Sequence, residues 1–157
     1  MSETNTPVTR RGFCAGACRA ASGATLATVF SACGGGSPTS PSGAASKLAV
    51  LSGRLAGSTV QVNVSGSPLA ETGGAALIQS IAGVFLVSRT STTAFTAIDA
   101  TCTHEGCTIT GADGSTYVCP CHGSRYNRNG QVLAGPAKAA LRQFPATLAD
   151  GVVTIAL

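Results

Sequence analysis

Residues 102–126 hold four of the seven cysteines and both histidines of this 157-residue chain. They fall in two short boxes. The first reads Cys102-Thr103-His104-Glu105-Gly106-Cys107. Eleven residues later the second reads Cys119-Pro120-Cys121-His122-Gly123-Ser124-Arg125-Tyr126. Cys-x-His followed by Cys-x-x-His offers two thiolates and two imidazoles from two loops. Soft thiolates with imidazoles suit zinc or an iron–sulfur cluster. Structural zinc sites usually space their ligands as C-x2-4-C and H-x3-5-H and leave no cysteine over. Here the order is mixed, and Cys107 and Cys121 occupy matching places as two further cysteines. Zinc is therefore the weaker reading. Gly106 and Gly123 let the backbone turn tightly beside a bulky ligand.

The boxes C-T-H-x-G-C and C-P-C-H-G-S resemble, without a gap, those of Rieske iron–sulfur proteins. The resemblance covers roughly 47–157, with its strength in the two boxes. It implies one [2Fe–2S] cluster, with Cys102 and Cys119 on one iron and His104 and His122 on the other. It also implies a Cys107–Cys121 disulfide tying the loops together. Neutral imidazoles in place of two thiolates make the site less negative, so an added electron costs less and the potential rises. Ser124 and Tyr126 stand where quinol-oxidising members of the family place donors to a bridging sulfide and a ligand cysteine. Those bonds favour the reduced state and raise the potential further.

By the same resemblance, His104 or His122 takes a proton from a membrane quinol as the electron is taken up. The electron then passes to a c-type cytochrome within a bc-type complex, with a cytochrome b/c-type assembly as partner. No second cofactor motif accompanies the boxes, so the chain reads as an electron-transfer subunit. Two rivals stay in the same family: the Rieske subunit of an exported oxidase such as arsenite oxidase, and a stand-alone Rieske ferredoxin. A third is a domain that merely holds a metal.

The loops need a frame, and its pattern is β. Thr59-Val60-Gln61-Val62-Asn63-Val64 alternates cleanly. Short apolar runs at Lys47–Leu51, Ala75–Ser80, Val84–Arg89 and Ala94–Ile98 are separated by Gly and Ser clusters. Thr116-Tyr117-Val118 predicts a strand delivering Cys119, and Gly111-Ala112-Asp113-Gly114 predicts a turn before it. Asp150-Gly151 between two apolar runs predicts a hairpin. No sustained helical period follows Lys47. The expectation is an all-β Rieske fold of small antiparallel sheets, with a cluster subdomain inserted from about Ala100 to about Ala137. Gly135-Pro136-Ala137 matches the start of the family's covering loop, but Lys138 replaces its usual second proline.

Apolar residues make up 44% of the chain, mostly Ala and Val, so the core must be built from small side chains. Net charge is +4; without residues 1–33, seven basic and five acidic residues leave +2. With no basic stripe and no aromatic platform, nucleic acid is not an expected partner.

Residues 1–33 read as a targeting segment. Thr9-Arg10-Arg11-Gly12-Phe13 resembles the twin-arginine export motif, and an apolar run from Ala20 to Ala32 follows. That route carries folded proteins, so a cluster inserted in the cytosol would travel intact. The oxidising destination, periplasmic or on the outer face of the bacterial cytoplasmic membrane, permits a disulfide. Phe30-Ser31-Ala32-Cys33 resembles a lipoprotein cleavage box with Cys33 as the lipid carrier. Membrane association through that lipid, or through the N-terminal segment itself, is the expectation. These thirteen residues span roughly 20 Å as helix, short of roughly 30 Å of hydrocarbon. Residues 34–46 contain only Gly, Ser, Pro, Thr and Ala and read as a flexible linker. The domain then runs over 47–157.

Overall fold

The computed structural model describes residues 45–157. The twin-arginine motif, Cys33 and linker residues 34–44 lie outside the described residues. The regular elements within them are fourteen strands and a single 3-10 turn, Pro68–Ala70. No helix among the described residues is long and apolar enough to cross a membrane.

The strands make three sheets. The central one orders β12 (Gln143–Phe144), β7 (Phe95–Asp99), β6 (Gly83–Arg89), β5 (Ala75–Ser80) and β2 (Ala49–Ser52). A second sheet orders β13 (Ala146–Ala149), β14 (Val152–Ala156), β4 (Thr59–Asn63) and β3 (Arg54–Ala56). The third, which carries the boxes, orders β1 (Ser46–Lys47), β8 (Gly111–Asp113), β9 (Thr116–Val118), β10 (Arg125–Tyr126) and β11 (Val132–Ala134).

The central sheet is buried on both faces, and its sequence explains why. Val60 and Val62 of β4 and Val153 and Ile155 of β14 cluster with Ala76, Ile78, Phe85 and Val87. The alternate residues Leu77, Leu86 and Ile98 cluster instead with Ile109, Tyr117, Tyr126, Cys102 and Cys119. A strand covered on both faces needs a continuous apolar run, as in Val84-Phe85-Leu86-Val87. A strand covered on one face alternates, as β4 does, with Val60 and Val62 buried and Gln61 only half-buried. One apolar core thus supports the frame, and a second holds the boxes against it.

Several boundaries differ from expectation. The antiparallel expectation fails at one pair, because β2 runs parallel to β5, with Ala49 opposite Ala76. The chain leaves β2, forms the β3–β4 hairpin in the second sheet and returns, which a parallel neighbour requires. The linker expected through Ser46 ends earlier, since Ser46 pairs with Ala112. A polar residue in a two-residue edge strand leaves no hydrophobic signal. Gly111–Asp113 is a strand rather than a turn. Asp113 pairs with Thr116, which moves the turn to Gly114-Ser115. The Asp150-Gly151 hairpin forms as expected: Ala149 pairs with Val152, and both turn residues have positive φ, 49° and 74°.

Candidate metal centre

The two boxes are loops on the third sheet. The first follows β7 and precedes β8; the second joins β9 to β10. Both close with the same backbone pattern. The Cys102 amide donates to the Cys107 carbonyl at 2.8 Å, and the Gly106 amide donates back to the Cys102 carbonyl at 2.9 Å. Seventeen residues on, Cys119 donates to Ser124 at 2.8 Å and Gly123 donates back to Cys119 at 3.1 Å. The returning glycines have φ of +75° and +71°, a region other residues rarely adopt. By this register Cys102 corresponds to Cys119, but Cys107 corresponds to Ser124 and His104 to Cys121. The matching places expected for Cys107 and Cys121 are therefore not matched in the backbone; the duplication puts a hydroxyl opposite one of them.

Cys107 and Cys121 form a disulfide across the loops, with their Cα atoms 6.6 Å apart. Cys102 and Cys119 are free and buried. The Cys119 sulfur lies within 4.8 Å of both disulfide sulfurs. The His104 and His122 rings stand edge to face, 4.8 Å between centroids. Their side chains are 27% and 49% exposed, so this end of the site reaches solvent while the thiols do not. Glu105, which the sequence reading passed over, lies between them. Its carboxylate is 3.8 Å from His104 Nε2 and 3.6 Å from His122 Nδ1.

Burial pushes the Cys102 thiol up. Hydrogen bonds from the Tyr126 hydroxyl and the His104 amide, with Cys119 and Ser124 beside it, outweigh that and hold it below the ordinary thiol value. Burial also pushes Cys119 up, against the amides of Cys121 and His122, and the neighbouring Cys102 adds to the rise. Two adjacent buried thiols cannot both ionise cheaply without a cation between them.

Ser124 and Tyr126 are fully buried. The Tyr126 hydroxyl is 3.3 Å from Cys102 Sγ. Ser124 Oγ accepts the Ala137 amide at 3.2 Å, which fastens the Gly135-Pro136-Ala137 loop over the second box. Thr103 fastens the other side, donating its hydroxyl to the Ala139 carbonyl at 2.6 Å. Thr103 belongs to the first box, but its bond to Ala139 was not expected, because the partner lies 36 residues away in sequence. Lys138 stands between these two anchors and is exposed.

The residues fit an iron–sulfur group. Two thiols are free, buried and served by backbone amides, and His104 Nδ1 is buried with no hydrogen-bond partner. A buried imidazole nitrogen left unpaired is costly unless something coordinates it. Across residues 49–145 the chain matches the family model described as "Rieske [2Fe-2S] domain". The chain belongs to the Rieske family. Its cofactor is a Rieske-type [2Fe–2S] cluster and its work is electron transfer. It is 42% identical over 69 residues to a chloroplastic cytochrome b6-f complex iron-sulfur subunit of Nicotiana tabacum, covering 43% of this chain and 30% of that one. It is 31% identical over 111 residues to the cytochrome b6-f complex iron-sulfur subunit of Prochlorococcus marinus, covering 63% and 62%. Among solved structures, a cyanobacterial plasma membrane Rieske protein from Synechocystis PCC 6803 superposes with a TM-score of 0.48 at 26% identity, over 53% of this chain and 86% of that one. The chain spans about a third of the length of the tobacco relative.

Proposed function

We propose that this Rieske protein takes electrons from a membrane quinol and passes them to a c-type cytochrome, as the iron–sulfur subunit of a bc-type complex. Cys102 and Cys119 hold one iron, and His104 and His122 hold the other. When bound, the cluster supplies a one-electron centre whose potential rises because imidazoles replace two thiolates. The single observation that carries the high-potential reading is the Tyr126 hydroxyl set 3.3 Å from Cys102 Sγ. Together with the disulfide, it matches the quinol-oxidising members named above.

The chain's own part is positioning and proton handling. Amides of His104, Cys121 and His122 stabilise negative charge on the two ligand sulfurs. The disulfide keeps the loops from separating. The half-exposed imidazoles present a ring nitrogen outward, where one of them accepts the quinol proton. Glu105, 3.8 Å from one ring and 3.6 Å from the other, sets a negative charge beside the imidazole that takes it. The names of the b6-f relatives support a cytochrome complex as partner.

Export by the twin-arginine route, with residues 34–44 tethering the domain outside the cytoplasmic membrane through a lipid on Cys33 or a retained N-terminal segment, completes the proposal. An EPR-monitored redox titration at several pH values tests the function. A midpoint near roughly +300 mV that falls as pH rises supports quinol oxidation. A midpoint near roughly −150 mV, flat around neutrality, overturns it in favour of a ferredoxin.

A further inference from the structure

Three contacts meet at the Tyr126 hydroxyl. The Thr103 amide donates to its oxygen at 3.2 Å, Thr103 Oγ1 lies 3.0 Å from it, and Cys102 Sγ lies 3.3 Å from it. The tyrosine is fully buried, so these partners rather than solvent decide where its proton points. Thr103 Oγ1 has one further partner, the Ala139 carbonyl at 2.6 Å.

Counting protons fixes the direction of each bond. A hydroxyl has one proton and two lone pairs. A carbonyl only accepts, so the Thr103 proton points to Ala139. Thr103 Oγ1 is left to accept from Tyr126. Cys102, as an iron ligand, is a thiolate and also only accepts. One tyrosine proton therefore serves two acceptors. Oxygen at 3.0 Å is the better acceptor while the sulfur is weakly charged, and the sulfur gains as it becomes more negative.

Thr103 thus works against the sulfur. In the oxidised state it takes a share of the proton, and reduction must win that share back. With no rival, the hydroxyl serves Cys102 in both states, and the whole strengthening of that bond favours the added electron. Ala139 makes the threonine a rival. Freed of that carbonyl, the Thr103 hydroxyl can donate to Tyr126 and leave the tyrosine proton to the sulfur alone.

We propose that Thr103 is a positioning residue that holds the potential of the cluster down by competing with Cys102 for the Tyr126 proton, and that the Ala139 carbonyl of the covering loop keeps it in that role. The inference rests on Cys102 as an iron ligand. It concerns differences between variants, so it stands or falls whatever the absolute midpoint and whichever redox partner the protein serves.

The test is an EPR-monitored redox titration of cluster-loaded full-length variants at one pH and one ionic strength. Thr103→Val keeps the shape, removes the hydroxyl and should raise the midpoint. Thr103→Ala, a smaller side chain at this exposed position, should raise it too. Thr103→Ser keeps the hydroxyl and should retain the original value. Tyr126→Phe should lower the midpoint, and in that background Thr103→Val should shift nothing further, because no tyrosine proton remains to be divided. This last arm separates competition for the proton from a loosened loop, since water admitted to the cluster would move the midpoint with or without the tyrosine hydroxyl. A midpoint that falls or stays put in both Thr103→Val and Thr103→Ala overturns the proposal. So does an equal rise in the Tyr126→Phe background.

Discussion

Tyr126 and Thr103 share two hydrogen bonds: the Thr103 amide donates to the tyrosine oxygen at 3.2 Å, and the two hydroxyls lie 3.0 Å apart. The Thr103 hydroxyl has one proton, and the Ala139 carbonyl at 2.6 Å takes it. The Tyr126 proton therefore has two acceptors, Thr103 Oγ1 and Cys102 Sγ. A more negative sulfur draws it toward Cys102, so the bond strengthens on reduction. Tyr126→Phe should lower the midpoint potential. Only the difference between oxidation states counts, on the order of 1 kcal/mol for one hydrogen bond, or about 40 mV for one electron. Ser124→Ala should add to the fall. An unchanged EPR midpoint in the double variant would sink the tuning role of both.

Glu105 bears on the same quantity from outside. Its carboxylate, 60% exposed, sits against both histidines and opposes an added electron. Glu105→Gln should raise the midpoint. An exposed pair contributes at most about 1 kcal/mol, so the rise should stay under about 40 mV and shrink in high salt. A fall, or no salt dependence, contradicts this.

The Cys107–Cys121 disulfide closes a loop with a sequence separation of 14. Closing such a loop stabilises a fold by about 3 kcal/mol through the unfolded chain. Replacing both residues by serine should lower the thermal midpoint. It should also shorten the lifetime of the visible absorption, because the loops then separate more easily. Retention of both properties would show that the loops are held by their backbone bonds alone.

Two glycines separate strain from crowding. Gly106, at φ +75°, has open space where a Cβ would go, so Gly106→Ala costs only the left-handed backbone, roughly 1–2 kcal/mol. Gly135, at φ +91°, would place its Cβ 2.6 Å from Ser124 Cα. Gly135→Ala must also push the covering loop off the second box and break the Ala137–Ser124 bond. Urea midpoints should fall further for Gly135→Ala, with faster loss of the cluster absorption.

Tyr117 is buried with an unpartnered hydroxyl, and burial pushes its pKa above the ordinary 10.0. Removing an orphaned hydroxyl is close to neutral or stabilising, so Tyr117→Phe should shift stability by less than about 1 kcal/mol at neutral pH. A raised pKa means its stability contribution is whole below the unfolded value and is lost as pH climbs toward the folded value. Urea midpoints at about pH 8 and about pH 10.5 should therefore fall less in the phenylalanine variant. An equal fall in both proteins contradicts that assignment.

The alternation of Thr59–Val64 made β4 readable, because one buried face leaves a period of two. The Asp150-Gly151 turn was readable because few residue pairs accept two positive φ values. By contrast, β8 and β1 were missed. Strands of two or three small or polar residues carry no periodicity, and they exist only through their neighbours: β1 pairs with β8, and β8 with β9. The parallel placement of β2 was hidden for a related reason: strand direction depends on where the chain returns, not on the strand's own residues.

The sequence by itself determined the donor set. The types and spacing of Cys102, His104, Cys119 and His122 limit which metals can bind, and that chemistry is local. Tertiary structure alone decided which other groups meet that set. Thr103 reaches Ala139 across 36 residues, and Tyr126 reaches Cys102 across 24. The glutamate between the histidines was likewise decided by folding. Such contacts join segments whose separate sequences are ordinary, and their energies arise only once the central sheet has brought them together and excluded water.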